Sequence, residues 1–149
     1  MLLHLKSIFF PPTIWTPQRF YYICFILTQV DMDYKIKEDG KFKYLEEGEG
    51  EVIVLLHGLF GALSNFKDLF EHFKSKYKVV IPMLPLYDMP VATTGVKSLA
   101  KFVKKFIDHK GYENVTLLGN SLGGHVSLVY YANWPEKVHS RVLTGSSGL

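Results

Sequence analysis

The feature that most constrains the fold is a serine with a glycine two positions before it and another two positions after it. The sequence G-N-S-L-G at residues 119–123 follows an apolar run over 115–118 and precedes a helix-forming run over 124–133. Glycines at these positions remove the Cβ atoms that would collide where a strand turns sharply into a helix. The pattern therefore predicts a nucleophile elbow, in which Ser121 takes a strained backbone conformation and holds its hydroxyl above a sheet.

A second glycine motif lies earlier in the chain. The sequence H-G-L-F-G at residues 57–61 follows another apolar run, over 52–56. In enzymes with such an elbow, a turn of this form after an earlier strand supplies a backbone N–H group to the oxyanion hole. In this order the two motifs resemble those of the α/β-hydrolase fold family, and the resemblance covers residues 34–149.

The resemblance implies both a fold class and a chemistry. The expected fold is α/β, a mostly parallel sheet with helices on both faces, truncated before its last strands. In this family a serine attacks a carbonyl carbon, a histidine takes the serine proton, and an acid orients the histidine, in the chain order serine, acid, histidine. By motif match, Ser121 is the expected catalytic nucleophile.

The two motifs also imply the oxyanion hole. Its expected donors are the backbone N–H groups of Leu59 and Leu122, with Phe60 as the alternative to Leu59. One such donor stabilises the transition state by about 3 kcal/mol. The residues expected to support the motifs are His57, Gly58, Gly119 and Gly123.

Glu136 and His139 follow Ser121 in the right chain order for an acid and a base. A helix over 122–133 spans roughly 18 Å at about 1.5 Å per residue, which would place both residues at the opposite end of the sheet from the Ser121 hydroxyl. A base must come within about 3 Å of the proton it removes. Geometry therefore argues against this pair.

Two other histidines lie nearer the motifs. His57 precedes the serine and supports its own turn, whereas His125 is one turn into the elbow helix and is expected to pack it. We therefore expect the acid and the base on strand–loop units after Leu149, together with little turnover from the 149 residues alone.

The remaining elements fit alternating strands and helices. Alternating runs over 34–37 and 41–44, joined by E-D-G, predict a β-hairpin. Further strands are predicted over 78–81 and 141–144, and apolar residues at helical spacing predict helices before and after the 78–81 strand. Ser64 is the expected cap of the first helix and Thr93 or Thr94 of the second, with Gly111 as its stop.

The loop at residues 82–90 departs from the family pattern, because the aspartate that many relatives carry just after this strand is absent and Asp88 comes too late to align. Its apolar side chains fit either a substrate-pocket wall or simple loop packing.

Composition excludes several other classes. A chain of 149 residues with 48% apolar and 21% charged residues suits one globular domain. The net charge of +3 comes with dispersed lysines, which does not indicate nucleic-acid binding. The single cysteine, Cys24, can form no internal disulfide and fits a reducing, cytoplasmic compartment. No metal-ligand cluster, dinucleotide fingerprint or phosphate loop is present in the sequence, so no cofactor is expected.

The first 31 residues differ from the rest, since residues 1–30 hold Lys6 and Arg19 but no acidic side chain, and three prolines interrupt an aromatic, apolar run. This pattern fits neither a secretory signal nor a membrane span. We expect residues 1–31 to be a non-native or disordered extension, with the native protein starting at Met32 and the hydrolase-like domain over 32–149, and we expect no stable membrane insertion.

The function predicted from sequence is that of a serine hydrolase acting on a small ester or related acyl compound. Serine at the elbow argues against haloalkane dehalogenation, which uses aspartate in this family. Carbon–carbon bond hydrolysis, acyl transfer and cofactor-free perhydrolysis share the motifs and remain open. The alternative to an enzymatic function is that of a non-catalytic binding or scaffold protein that kept the fold.

Overall fold

The computed structural model describes residues 34–59, 63–86 and 95–147, with the side chains of residues 63 and 64 excepted. The predicted extension over 1–31, Phe60, Asp88, Thr93 and Thr94 lie outside these ranges. The strands are β1 (Lys37–Asp39), β2 (Phe42–Glu47), β3 (Val52–Leu56), β4 (Lys78–Pro82), β5 (Val115–Asn120) and β6 (Val138–Thr144). The helices are α1 (Lys67–Phe73), α2 (Val96–Lys110) and α3 (Leu122–Asn133).

The strands form one sheet in the order β1-β2-β4-β3-β5-β6. The hairpin β1–β2 and the β2–β4 pair are antiparallel, whereas β4–β3, β3–β5 and β5–β6 are parallel. The apolar runs that form β3 and β5 are buried in the middle of the sheet, as expected of strands covered on both faces. The predicted mostly parallel sheet is confirmed.

The sheet is covered on both faces, also as predicted. On one face, Phe66 and Phe70 beside and within α1 pack against strand residues such as Leu55. On the other face, α2 and α3 pack together over the sheet, with Phe106 and Tyr130 fully buried. Burial of each such large side chain contributes about 1.5–3 kcal/mol, so the two layers fix the positions of the strand ends. Among the described residues, no helix has the length and apolar content needed to cross a bilayer.

Several element boundaries differ from the predictions. The hairpin turn is Gly40-Lys41 rather than Asp-Gly, because Asp39 pairs with Phe42 and Gly40 takes φ 57°. Strand β6 begins at Val138 rather than at residue 141, because pairing with β5 starts as soon as the short 3-10 turn Pro135–Lys137 ends.

Helix starts also differ, whereas the predicted helix stop is confirmed. Phe66 is the N-cap of α1, after the 3-10 turn Leu63–Phe66, so Ser64 is not its cap. Gly95 rather than a threonine is the N-cap of α2. Gly111 ends α2 in the left-handed conformation, with φ 64°.

The described part of the loop after β4 is packed into the core. Leu84 and Leu86 are buried in the same cluster as α2 and α3, and the Leu86 N–H donates to the Leu84 carbonyl at 2.8 Å. Packing into the core accounts for these two leucines.

Candidate active site

Ser121 lies between β5 and α3, at the carboxyl end of the parallel strands. Its backbone has φ 53° and ψ −119°, a combination that non-glycine residues rarely adopt. The residue is exposed, so its hydroxyl is accessible at this edge of the sheet. A strained serine at a strand–helix turn is the geometry that the G-N-S-L-G pattern predicts.

The glycines on either side of Ser121 are required by close backbone approach. A methyl group at Gly123 would lie 1.8 Å from the carbonyl oxygen of Leu56 on β3, and one at Gly119 would lie 2.4 Å from the carbonyl oxygen of Gly123. Neither position accepts a side chain without a shift of backbone. The start of α3 is therefore pressed against both β3 and β5, as the elbow interpretation requires.

The H-G turn lies directly beside the serine. A methyl group at Gly58 would lie 3.1 Å from Cβ of Ser121 and 3.4 Å from its Oγ. Leu59 follows in the turn and is 49% exposed. On the other side of the hydroxyl, Leu122 is the first residue of α3. Its N–H group has no acceptor within the helix and lies at the helix end that carries partial positive charge. The structure thus brings the predicted donor segments to the same hydroxyl.

His57 is buried beneath this turn, with 2% of its surface exposed. Its Nδ1 lies 2.9 Å from the carbonyl oxygen of Gly58, and its Nε2 accepts the N–H of Leu84 at 3.1 Å. These partners fix the neutral tautomer with hydrogen on Nδ1. Burial lowers the pKa of His57 below its ordinary value, although the hydrogen bond to Gly58 acts in the opposite direction. Both ring nitrogens are engaged, which fits the predicted supporting role.

The other candidates for the base and the acid do not contact the Ser121 hydroxyl. Val115 pairs with Val138 at the start of β6, whereas Asn120 pairs with Thr144 next to the elbow, so His139 lies at the opposite end of the sheet. His125 is on the first turn of α3, where its backbone N–H donates to the Ser121 carbonyl at 3.3 Å. Within residues 34–59, 63–86 and 95–147, no hydrogen bond joins the Ser121 hydroxyl to a histidine or a carboxylate.

Sequence reasoning missed the residues at the end of β6 and just after it that contact the elbow. The Asn120 side chain donates to the Thr144 carbonyl at 3.2 Å and to Thr144 Oγ1 at 3.1 Å. The Ser147 N–H donates to the Ser121 carbonyl at 3.2 Å, and Ser146 lies against Gly124. No local pattern marks these contacts, because they arise only when β6 pairs with β5.

Comparisons with known proteins agree with this geometry. A family model described as the alpha/beta hydrolase fold matches residues 51–148. Over 122 residues the chain is 30% identical to a 2-hydroxy-6-oxononadienedioate/2-hydroxy-6-oxononatrienedioate hydrolase of Escherichia coli O81 (strain ED1a). Over 119 residues it is 32% identical to a 2-hydroxy-6-oxo-6-phenylhexa-2,4-dienoate hydrolase of Comamonas testosteroni. Each alignment covers 74% of this chain and 42% of the relative, so the chain spans less than half the length of these relatives.

A solved structure is more similar in sequence. MGS-MChE2, an alpha/beta hydrolase enzyme from the metagenome of sediments from the lagoon of Mar Chica, Morocco, is 56% identical, with a TM-score of 0.75. The match covers 77% of this chain and 53% of that protein. The sheet order, the strained serine, the two glycine motifs and the family match lead to one conclusion: the chain belongs to the α/β-hydrolase fold family.

Proposed function

We propose that the protein is a serine hydrolase in which Ser121 attacks the carbonyl carbon of a small ester or related acyl substrate. The observation that carries this proposal is the backbone of Ser121, whose φ of 53° presents an exposed hydroxyl between the H-G turn and the N-terminus of α3. Strain of this kind costs about 1–3 kcal/mol and persists only where the surrounding structure enforces it. A chain that needed only a strand–helix connection would not require it.

The chemistry follows from what surrounds the hydroxyl. Attack by Oγ of Ser121 moves the carbonyl electron pair onto oxygen, and the resulting oxyanion needs donors that are already in place. We assign this role to the N–H groups of Leu59 and Leu122, each contributing about 3 kcal/mol. The serine proton passes to a base as the new bond forms, and the leaving group then departs from the tetrahedral intermediate.

We assign the base and its orienting acid to positions outside the described residues. Both nitrogens of His57 are occupied, and His139 lies at the other end of the sheet. The hydrogen bond of His125 to the elbow uses its backbone N–H, and its ring forms none with the Ser121 hydroxyl within the described residues. This leaves Ser121 with the oxyanion donors from the described segment and with its proton acceptor from elsewhere.

A second candidate reaction is hydrolysis of a carbon–carbon bond next to a ketone. It is supported by the two curated relatives, which are named as hydrolases of 2-hydroxy-6-oxo dienoate compounds and are 30% and 32% identical to this chain. The serine would again add to a carbonyl carbon, but the leaving group would be a stabilised carbanion that must be protonated, rather than an alkoxide.

The test compares Ser121→Ala with a matched serine substitution, Ser75→Ala, in the exposed turn between α1 and β4. The longest natural form of the protein is assayed with a short-chain p-nitrophenyl ester and with a 2-hydroxy-6-oxo dienoate. Ser121→Ala should lower kcat by at least about 10³-fold on the preferred substrate, because loss of a catalytic serine removes the covalent route. Ser75→Ala should match wild type.

The preferred substrate decides between the two reactions. Absence of turnover on both substrates, or turnover that survives Ser121→Ala, would contradict the proposal and favour a binding or scaffold role.

A further inference from the structure

We propose that the last residue of β6 and the turn after it, residues 144–147, form a positioning element that holds Ser121 in its strained conformation and aims the Leu122 N–H at the oxyanion. This segment is called the exit turn below. The inference deepens the proposed function and rests on it, since it concerns the geometry of the same serine.

The first observation is that both backbone polar groups of Ser121 bond to the exit turn. The Ser121 N–H donates to the Thr144 carbonyl at 3.1 Å. The Ser121 carbonyl accepts the Ser147 N–H at 3.2 Å. A strained residue needs interactions that its own segment does not supply. One of these two comes from the last residue of β6 and the other from the turn after it, and both follow the elbow helix in sequence.

The second observation is a side-chain link between the end of β5 and the same turn. Asn120 precedes Ser121, and its Nδ2 lies 3.2 Å from the Thr144 carbonyl oxygen and 3.1 Å from Thr144 Oγ1. The Thr144 carbonyl oxygen therefore accepts from both Asn120 and Ser121. Movement of the exit turn would release both bonds together.

The third observation explains the second glycine of the G-G pair that follows the serine. A methyl group at Gly124 would lie 2.6 Å from Oγ of Ser146, 2.8 Å from its Cβ and 3.2 Å from its Cα. Gly123 makes room for β3, whereas Gly124 makes room for the exit turn. The first turn of α3 is thus in contact with both sides of the site.

The planar peptide bond connects these contacts to catalysis. The carbonyl of Ser121 and the N–H of Leu122 belong to one trans peptide unit, so they point in opposite directions and turn together. The Ser121 carbonyl is held by N–H groups of Gly124, His125 and Ser147 at 3.0, 3.3 and 3.2 Å. The first two come from α3 itself and the third from the exit turn. Loss of the third contact would let the Leu122 N–H rotate away from the oxyanion.

The main test is a substitution and its suppressor. Gly124→Ala puts a methyl group against Ser146, although alanine favours an α-helix over glycine by about 1 kcal/mol. The double variant Gly124→Ala/Ser146→Gly removes the two side-chain atoms that lie closest to this methyl and leaves only its 3.2 Å contact with Cα of residue 146. The readouts are kcat, KM, the rate of Ser121 labelling by a fluorophosphonate, and hydrogen exchange at the Ser121 amide.

Gly124→Ala should lower kcat and the labelling rate by about 10²-fold, with KM little changed, because small misplacement of catalytic groups has effects of this size. The double variant should recover most of that loss. A general packing defect would instead change KM and unfolding temperature together.

A second pair tests the backbone bond itself. Ser147→Pro removes the N–H that reaches the Ser121 carbonyl, while Ser147→Ala keeps it and is the matched reference. The proline variant should be at least about tenfold slower than the alanine variant in kcat and labelling, a difference near 1.4 kcal/mol.

The outcomes separate this inference from the proposed function. A wild-type protein that is not labelled at Ser121 overturns the proposed function. The exit turn is then judged by exchange of the Ser121 amide alone, which should be faster in Gly124→Ala and restored in the double variant. Wild-type kinetics and exchange in Gly124→Ala, or a defect that Ser146→Gly does not relieve, overturn the exit-turn proposal.

Discussion

The two ends of the parallel sheet differ in how they are built. At the carboxyl end, Ser121 lies between the H-G turn and the first turn of α3. At the amino end, the chain forms an open pocket of about 440 Å³ lined by Gly50, Glu51, Val52, Glu113, Asn114 and His139. The pocket at the amino end is lined by three ionisable side chains, Glu51, Glu113 and His139, whereas the carboxyl end has the tightly packed backbone.

Strand β5 connects the two ends and shows the difference directly. Asn114 before it and Ser121 after it both have φ 53°. Asparagine is several-fold enriched among non-glycine residues at positive φ, so its strain needs little support. Serine needs more support, and Ser121 receives close contacts at the neighbouring glycines and backbone hydrogen bonds from Thr144 at the end of β6 and from Ser147 in the turn after it. In this sheet, a strained and closely packed backbone, rather than a group of titratable side chains, is found at the end where we propose that the reaction takes place.

The largest expected effect comes from filling the closest contact at the carboxyl end. Gly123→Ala places a methyl group 1.8 Å from the Leu56 carbonyl oxygen, so α3 must move away from β3. We expect the free energy of unfolding to fall by about 3 kcal/mol and activity to be lost, as in other overpacked cores. Denaturant unfolding and an ester assay measure the two effects.

Gly95→Ala is the matched control for this prediction. A methyl group at Gly95 meets nothing within 4 Å, and the residue has an extended backbone with φ −148°. Loss of an N-cap glycine should cost at most about 1 kcal/mol. Equal stability of Gly123→Ala and Gly95→Ala would contradict the proposed packing of the elbow.

A smaller effect is expected from His57, which ties the H-G turn to the loop after β4. His57→Gln keeps an acceptor near the Leu84 N–H but loses the bond to Gly58, and His57→Asn does the reverse. Each lost bond should lower the free energy of unfolding by about 1 kcal/mol.

The pH dependence of stability sharpens this prediction. The pKa of His57 in the folded protein lies below its ordinary value near 6.5. As pH falls, His57 is therefore protonated in the unfolded chain before it is protonated in the folded protein. The wild-type free energy of unfolding should therefore decrease below about pH 6.5, and its advantage over His57→Gln should shrink. His72→Gln, on an exposed part of α1, is the control for loss of an imidazole. A constant difference between wild type and His57→Gln from pH 5 to 8 would contradict the buried neutral imidazole.

The smallest effect is expected at the amino end. His139→Ala and Glu51→Gln change groups that line the pocket there, far from the serine along β5 and β6. Surface changes of this kind alter the free energy of unfolding by about 0.5 kcal/mol. Because both groups are also far from Ser121, kcat should stay within about twofold of wild type. A loss of activity comparable to that of Ser121→Ala would mean that this end supplies the base after all.

Local sequence patterns were sufficient for the elbow and its flanking elements. The predicted bounds are confirmed for the strand Val52–Leu56 and the helix Leu122–Asn133. A continuous apolar run indicates a buried strand, and paired glycines indicate close backbone contact, so both can be recognised from local sequence. The same holds for Gly111, whose left-handed conformation follows from its position after the last turn of α2.

Contacts between distant segments could not be predicted in this way. Nothing near His57 in sequence identifies Leu84 as its partner, and nothing near Gly124 identifies Ser146. The early start of β6 at Val138 likewise depends on pairing with β5 rather than on its own polar, exposed residues. Each of these features depends on contacts between segments that are far apart in the sequence, and local sequence patterns do not identify such contacts.

The assignment of Ser121 as the nucleophile is tested most directly by identifying the residue that reacts with a covalent probe. The longest natural form of the protein is treated with a fluorophosphonate, its intact mass is measured, and the adduct is located by peptide mapping. We expect one adduct, on Ser121, that is absent from Ser121→Ala and unchanged in Ser75→Ala. An adduct on another residue, or one that persists in Ser121→Ala, would contradict the assignment of Ser121 as the nucleophile.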